Sequence, residues 1–299
     1  MSTSNERTLI VSGASGQLGR QVVEHLLSAG ERRVVALSRS PERLADLAAR
    51  GVVVRRADFE RPEELVDAFA GGDRLLLIST DAVDQPGRRR AQHLAAVDAA
   101  ARAGVGHVVY TSLTGPDDSP VTIAPDHRDT EAALAATGLG FTILRNNLYT
   151  EFLLGGLGRA VATGELVAAA GDGGVGYVTR ADCARAAAAA LRAATTGRVT
   201  LDITGPELVT HAELARLAGE LAGRPIAYVP VTADALQAGM LAAGVPAGFA
   251  EILASFDVAV ARGKLAVVSN AVAELTGRPP TSVAAFLAAH RDALLGARA

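Results

Sequence analysis

Three glycines at a spacing of three, placed at the end of a short apolar run, constrain this chain more than any other feature. Leu9–Ser12 is the run, Gly13, Gly16 and Gly19 follow it, and a helical pattern opens at Gly16. A strand entering a helix through such a turn predicts the first βαβ unit of a nucleotide-binding sheet. The glycines have separate tasks. Gly13 lets the chain turn sharply off the strand, Gly16 removes a side chain where backbone approaches an anion, and Gly19 lets the helix pack close to the sheet. The helix then turns its free N–H groups and positive dipole end towards a pyrophosphate. Gly13, Ser15, Gly16, Gln17, Leu18 and Gly19 form the candidate dinucleotide-binding loop.

Strand-like and helix-like segments alternate from there. The expected strands are Leu9–Ser12, Arg33–Ser38, Val52–Arg55, Arg74–Ser79, His107–Thr111 and Phe141–Arg145. Between them lie helical patterns at Gly16–Ala29, Pro41–Ala49, Pro62–Phe69, Gly87–Ala103 and Ala124–Thr137. The strands are apolar without alternation, so both faces are buried, which predicts an α/β, Rossmann-type doubly wound parallel sheet. Its ligand belongs at the C-terminal strand ends. The second half is less regular. Leu148–Thr163 reads as a helix, Glu165–Ala169 as a strand, and Thr179 as the cap of a helix Arg180–Ala193. A strand at Arg198–Ile203, a helix at His211–Leu221 and a strand at Ile226–Pro230 follow, then helices. The expected division is 1–147 for the dinucleotide-binding domain and 148–299 for a second subdomain, with about 178–205 returning to the sheet.

Composition narrows the setting. The 299 residues are 49% hydrophobic, enough for a substantial core, and no run of ~18 uncharged apolar residues suggests a membrane span. Met1–Arg7 is polar and lacks the apolar centre of a signal peptide. A single cysteine, Cys183, fits a reducing cytoplasm and reads as a small core residue. The formal charge of −3 gives no electrostatic reason to expect nucleic acid, and the histidines show no metal-ligand spacing.

The second strand end chooses the cofactor. A dinucleotide site for NAD carries an acid there to take the ribose hydroxyls. This chain has Ser38 and Arg39 instead, and an arginine pairs with a 2′-phosphate through two charge-assisted hydrogen bonds. NADPH is therefore the expected cofactor, with NADH weaker; the alternative is that Arg39 is a solvated surface residue. Asp58 and Phe59, after the third strand, are candidates for the adenine; the alternative is a loop that caps the next helix. Ser79, Thr80, Thr111 and Ser112 end the fourth and fifth strands. Their hydroxyls suit ribose and nicotinamide, and equally suit the open backbone of a strand end.

The ordered motifs resemble a known family. They are the glycine loop at residues 12–19, Leu75–Ser79, Tyr110–Leu113, Leu144–Thr150, Ala170–Gly173, Thr179–Asp182 and Leu275–Pro280, spread over nearly the whole chain. The chain resembles the atypical short-chain dehydrogenases/reductases of the NmrA-like group. Within that group it is similar to the branch of NAD(P)H:quinone oxidoreductases and triphenylmethane-dye reductases. The resemblance implies a Rossmann domain, a smaller C-terminal α/β substrate domain and a cleft between them. The implied partner is a small aromatic or quinone-like acceptor, with no nucleic acid or membrane, for a monomer or homodimer.

One departure from the wider dehydrogenase pattern matters more. Those enzymes use a Tyr-x-x-x-Lys pair to protonate a developing alkoxide. No tyrosine here has a lysine four residues on, and Lys264 is the only lysine. His127 and Glu131 occupy the place of the pair, one helical turn apart, and Leu113 falls near the place of the usual serine. Hydride transfer to a conjugated electrophile needs little proton assistance, because a quinone yields a delocalised phenolate. His127 either donates the remaining proton or only lines the pocket. Asn146, Tyr149 and Phe152, which follow the sixth strand, are with Leu113 the candidate substrate contacts. Tyr149 is a candidate pocket wall and the second candidate catalytic group, while Asn146 and Asn147 alternatively satisfy loop backbone. The reading is an NADPH-dependent oxidoreductase of quinone-like acceptors. Its rivals are a non-catalytic NAD(P) sensor acting through a protein partner, and a biosynthetic reductase with one dedicated metabolite.

Overall fold

The first strand, β1 (Leu9–Val11), is three residues long and buried at each of them. In the computed structural model of the protein, residues 7–296 are described; the polar stretch before Arg7 lies outside them. From β1 the chain runs through α1 (Gln17–Ser28), β2 (Val34–Ser38), α2 (Ala45–Ala48), β3 (Val53–Arg56), α3 (Pro62–Phe69) and β4 (Arg74–Leu77). It continues through α4 (Arg88–Arg102), β5 (His107–Leu113), α5 (Ala124–Ala136) and β6 (Gly140–Asn146). β1 pairs in parallel with β2 (Leu9 opposite Val34) and with β4 (Leu9 opposite Arg74), β2 with β3, and β4 with β5. The strand order of the seven-stranded sheet, β3-β2-β1-β4-β5-β6 and then Arg198–Ile203, places the change of winding direction beside β1. This is a Rossmann-like α/β fold, and ligands of such sheets bind at that switch point. β1, β2, β4 and β5 are buried at every position, as strands covered on both faces must be.

The local differences from the sequence reading have physical causes. Pro41–Ala49 is not one helix: Pro41 opens a 3₁₀ turn to Leu44, and α2 has only four residues. The strand expected at Arg74–Ser79 stops at Leu77, because the next backbone amides are taken by side chains described below. β5 runs two residues beyond its expected end at Thr111, to Leu113.

Contacts divide the chain into two compact units. One holds the chain up to Ser112, Asp126–Arg145 and Cys183–Leu201; the other holds Leu113–Pro125, Asn146–Asp182 and the chain from Asp202. The assignment of Leu113–Pro125 to the second unit was not legible in the sequence, since it interrupts the run of strand and helix units. In that unit α6 (Leu153–Thr163), preceded by a 3₁₀ turn at Thr150–Phe152, replaces the longer helix expected from Leu148. β7 (Glu165–Ala168), β8 (Gly174–Val175), α7 (Arg180–Arg192), β9 (Arg198–Ile203), β10 (Val209–Thr210), α8 (His211–Ala222) and β11 (Ala227–Pro230) follow. β7 pairs in parallel with β11 and β8 antiparallel with β10. Thr179 caps α7: its hydroxyl donates to Asp182 Oδ2 at 2.7 Å and accepts from Asp182 N at 3.0 Å. Helices α9 (Ala233–Ala242), α10 (Ala247–Ala261), α11 (Ala271–Thr276), α12 (Val283–Ala289) and α13 (Arg291–Gly296) complete the fold. Leu113, Leu157, Tyr177, Leu265 and Phe286 belong to this unit's buried core.

Candidate functional site

The glycine loop has the conformation its residues require. Gly13 sits at φ +60°, a left-handed conformation that disfavours side chains. Gly16 is the N-cap of α1, with no side chain capping the helix and no acid in its first turn. The amides of that turn are therefore open to an anion. A Cβ on Gly19 would lie 2.3 Å from Gly13 O and 2.9 Å from Ala14 Cα. The third glycine thus seats the helix against the loop itself, rather than only against the sheet. Ser15 Oγ meets Ser38 Oγ at 2.8 Å, tying the loop to the end of β2. Gln17 is exposed, whereas the Leu18 side chain is buried and offers a ligand only its backbone.

Arg39 is exposed after β2 and makes no side-chain hydrogen bond or ion pair among the described residues. Arg20, the other arginine near this corner, holds Asp46 through two bonds of 2.5 and 3.0 Å. Arg20 is thereby committed to Asp46, whereas Arg39 is not. Asp58 Oδ1 accepts from Glu60 N at 3.1 Å, closing the turn before α3, and the Phe59 ring is partly packed into the first unit's core.

Beyond β4 three successive amides leave the ladder, and each is received by a side chain. Ile78 N–H donates to Ser12 Oγ at 2.8 Å, Ser79 N–H to Thr111 Oγ1 at 2.9 Å, and Thr80 N–H to His93 Nε2 at 2.9 Å. Arg89 Nε donates to Thr80 O at 2.7 Å. The Thr111 hydroxyl is thus engaged in holding backbone. Ser112 is engaged as well, donating to Glu131 Oε1 at 2.6 Å. Sequence reading missed Arg89 and His93. Their spacing of four on α4, which puts them on one face, was the available signal.

His127 and Glu131, one helical turn apart on α5, are each bound by an arginine. Glu131 accepts from Arg145 twice, Nε to Oε1 at 3.0 Å and Nη2 to Oε2 at 2.5 Å. His127 is 4% exposed, with Arg89 Nη2 at 2.8 Å from its Nε2 and Tyr110 Oη at 2.9 Å from its Nδ1. Burial, the Arg89 charge and His93 hold the His127 pKa well below the ordinary imidazole range. A buried neutral ring with both nitrogens occupied is not a proton donor near neutral pH. This environment disfavours the candidate role of His127 as general acid. Its unperturbed pKa is a poor guide because the fold buries the ring and sets against it an arginine 38 residues away.

In the second unit, Tyr149 and Phe152 lie together with ring centroids 5.9 Å apart and planes tilted by 31°. Arg180 stands over both, its guanidinium carbon 5.0 Å from the Tyr149 centroid and 4.9 Å from that of Phe152. Phe152 is 57% exposed. Asn146 Nδ2 donates to the Tyr149 hydroxyl at 3.2 Å, and Asn146 Oδ1 is buried without a partner among the described residues. Asn147 serves loop backbone, donating to Leu265 O at 3.0 Å. Leu113, the remaining candidate substrate contact, is buried in this unit's core with 6% exposure. Among the described residues no cluster of three or more potential metal ligands forms, and no helix is long and apolar enough to cross a membrane.

A Rossmann-like sheet with an open glycine-lined helix N-terminus at its switch point defines a dinucleotide-binding protein. The chain belongs to the NAD(P)H-binding family, whose pattern matches residues 13–194. It is 36% identical over 277 residues to quinone oxidoreductase 2 of Escherichia coli, covering 92% of this chain and 96% of that one. It is 29% identical to the NAD(P)H azoreductase of Xenophilus azovorans, covering 95% and 98%. Among solved structures, the E. coli NADPH-dependent quinone oxidoreductase complexed with NADPH matches with a TM-score of 0.90 at 35% identity, covering 94% of this chain and 99% of that one. The Citrobacter triphenylmethane reductase complexed with NADP(H) matches at 0.88 and 35%, with the same coverage.

Proposed function

We propose that this NAD(P)H-dependent oxidoreductase uses NADPH to reduce quinone-like and other conjugated, electrophilic aromatic acceptors. The observation that carries the reading is what occupies the place of the Tyr-x-x-x-Lys pair. Glu131 is bound to Arg145, and His127 is buried between Arg89 and Tyr110. Neither group offers a proton to an alkoxide. An acceptor whose reduced form is a stabilised phenolate or a neutral carbon centre does not require one from the protein. The names of relatives that act on quinones, azo compounds and triphenylmethane dyes support the same acceptor class.

In this reading bound NADPH supplies the hydride. The amides of Gln17 and Leu18 and the bare backbone at Gly16 hold the pyrophosphate. Arg39 and Ser38 receive the 2′-phosphate, with Ser15 keeping that corner in register. Asp58 and Phe59 flank the adenine. Ser79, Thr80, Thr111 and Ser112 form the edge for ribose and nicotinamide, largely through backbone that their hydroxyls fix. Tyr149 and Phe152 provide the stacking surface for the acceptor, held in place by Arg180. Tyr149 acts as a wall; the proton that completes hydroquinone formation comes from solvent. A reducing, cytoplasmic setting accords with Cys183 as the single cysteine, buried and in no disulfide.

The test is product analysis with NADPH deuterated at C4 and a cationic triarylmethane dye as acceptor. Deuterium on the dye's central carbon, with one NADPH consumed per dye, is the expected result. Absence of dye and quinone reduction by a chain that binds NADPH would refute the activity.

A further inference from the structure

A buried polar cluster lies next to the Thr80 edge, and the proposed hydride transfer makes no use of it. Arg89, His93, Tyr110, His127 and Thr130 are all at most 4% exposed. Burying a guanidinium and two imidazoles is costly unless each is bonded, and such networks are often replaceable by apolar residues without loss of stability. Their presence therefore asks for a task.

The partners assign the protons. His93 Nε2 receives the Thr80 N–H, so its own proton is on Nδ1, 3.1 Å from Thr130 Oγ1. Thr130 in turn donates to Asp126 O at 2.6 Å. His127 Nε2 faces an arginine, which has no acceptor, so Nε2 is bare and Nδ1–H donates to the Tyr110 hydroxyl. Burial and the Arg89 charge push the His93 pKa down to about 3, which keeps the ring neutral and its Nε2 an acceptor. The outcome is a grip on one peptide unit from both polar ends: His93 takes the N–H of Thr80, and Arg89 takes its carbonyl. Both side chains come from one face of α4, one helical turn apart. Ser12 and Thr111 fix the two preceding amides, so Ile78, Ser79 and Thr80 are held without a strand ladder.

We propose that His93 and Arg89 are positioning residues that set the Ile78–Thr80 edge against which the nicotinamide ring of the cofactor lies. The inference rests on the cofactor placement above. It adds a division of labour: the glycine loop binds the adenine half of the cofactor, and the α4 pair governs the nicotinamide half through the Thr80 backbone.

The experiment compares affinities for NADPH and for the same cofactor lacking its nicotinamide, 2′-phospho-ADP-ribose, by titration calorimetry. In His93→Leu the Thr80 N–H loses its acceptor, and NADPH affinity should fall by roughly tenfold or more, while 2′-phospho-ADP-ribose binds as in the parent. His93→Gln keeps an acceptor at the place of Nε2 and should restore most of the NADPH affinity. His93→Asn reaches only the place of Nδ1 and should behave as the leucine variant; the Gln/Asn pair carries the test if His93→Leu does not fold. Equal weakening of both ligands, no change in either, or a glutamine variant no better than asparagine would overturn the proposal while leaving the cofactor assignment intact. A parent chain that binds neither ligand would refute that assignment itself, and this inference with it.

Discussion

Arg89 donates from Nη2 to His127 Nε2 across 2.8 Å, where each residue is only 4% exposed. Burial and this contact hold the His127 pKa well below the ordinary imidazole range. The pH profile of kcat on a quinone should consequently show no histidine ionisation between about pH 5 and 8. His127→Ala should lower stability by about 3 kcal/mol and kcat by less than about tenfold. Stopped-flow rates and thermal melts check both; a folded variant with a loss of about a hundredfold or more in kcat would restore His127 as the acid.

Acid should unfold the protein through the same class of residue. His93 and His107 are depressed from 6.5 to about 3 and about 4, chiefly by burial. At pH values between those and 6.5 the unfolded chain binds more protons than the folded one, so stability is full above about 6.5 and falls as pH drops. The melting temperature should decline steadily from pH 6.5 to 4. His107→Asn should flatten that decline; an unchanged slope would contradict the assignment.

Arg39 should decide between cofactors. Arg39→Asp should reverse a preference for NADPH over NADH, because a carboxylate takes ribose hydroxyls and repels the 2′-phosphate. Fluorescence titration of both cofactors measures it. An unchanged ratio would assign Arg39 to solvent.

Gly16 and Gly19 should fail in different ways. A Cβ on Gly16 would meet only Gly13 O, at 3.2 Å, whereas on Gly19 it would be driven into backbone at 2.3 Å. Gly16→Val should fold and lose cofactor binding, while Gly19→Ala should lower the melting temperature as well. Circular dichroism with a binding titration separates the two.

These positions also mark how far the sequence alone reaches. The glycine loop is legible because its demands are local: a left-handed turn at Gly13 and bare backbone at Gly16. The strands β1, β2, β4 and β5 are legible because burial on both faces goes with apolar runs. The edge strand β3, with two arginines and an exposed Val53, is not buried on both faces as its sequence suggested. His93 and Arg145 were not legible, since their partners Thr80 and Glu131 are brought near only by the fold. The two-residue strands β8 and β10 are too short to show a period. Leu113 reads as a site residue from falling near the place of the usual serine, and it packs into the second unit's core. Arg180 lies 31 residues after Tyr149, and nothing in that spacing announces the guanidinium over the ring.

The most direct test of the account is the rate of NADPH oxidation by the parent chain and by Tyr149→Phe and Tyr149→Ala, with quinones and with simple ketones as acceptors. A wall of stacked rings and an acceptor that needs no protein acid predict quinone turnover and inert ketones. They also predict near-parental activity in the phenylalanine variant, which keeps the ring, and a clear loss in the alanine variant. Reduction of ketones, or collapse of quinone turnover in Tyr149→Phe with cofactor binding unchanged, would make Tyr149 a proton donor and contradict the mechanism.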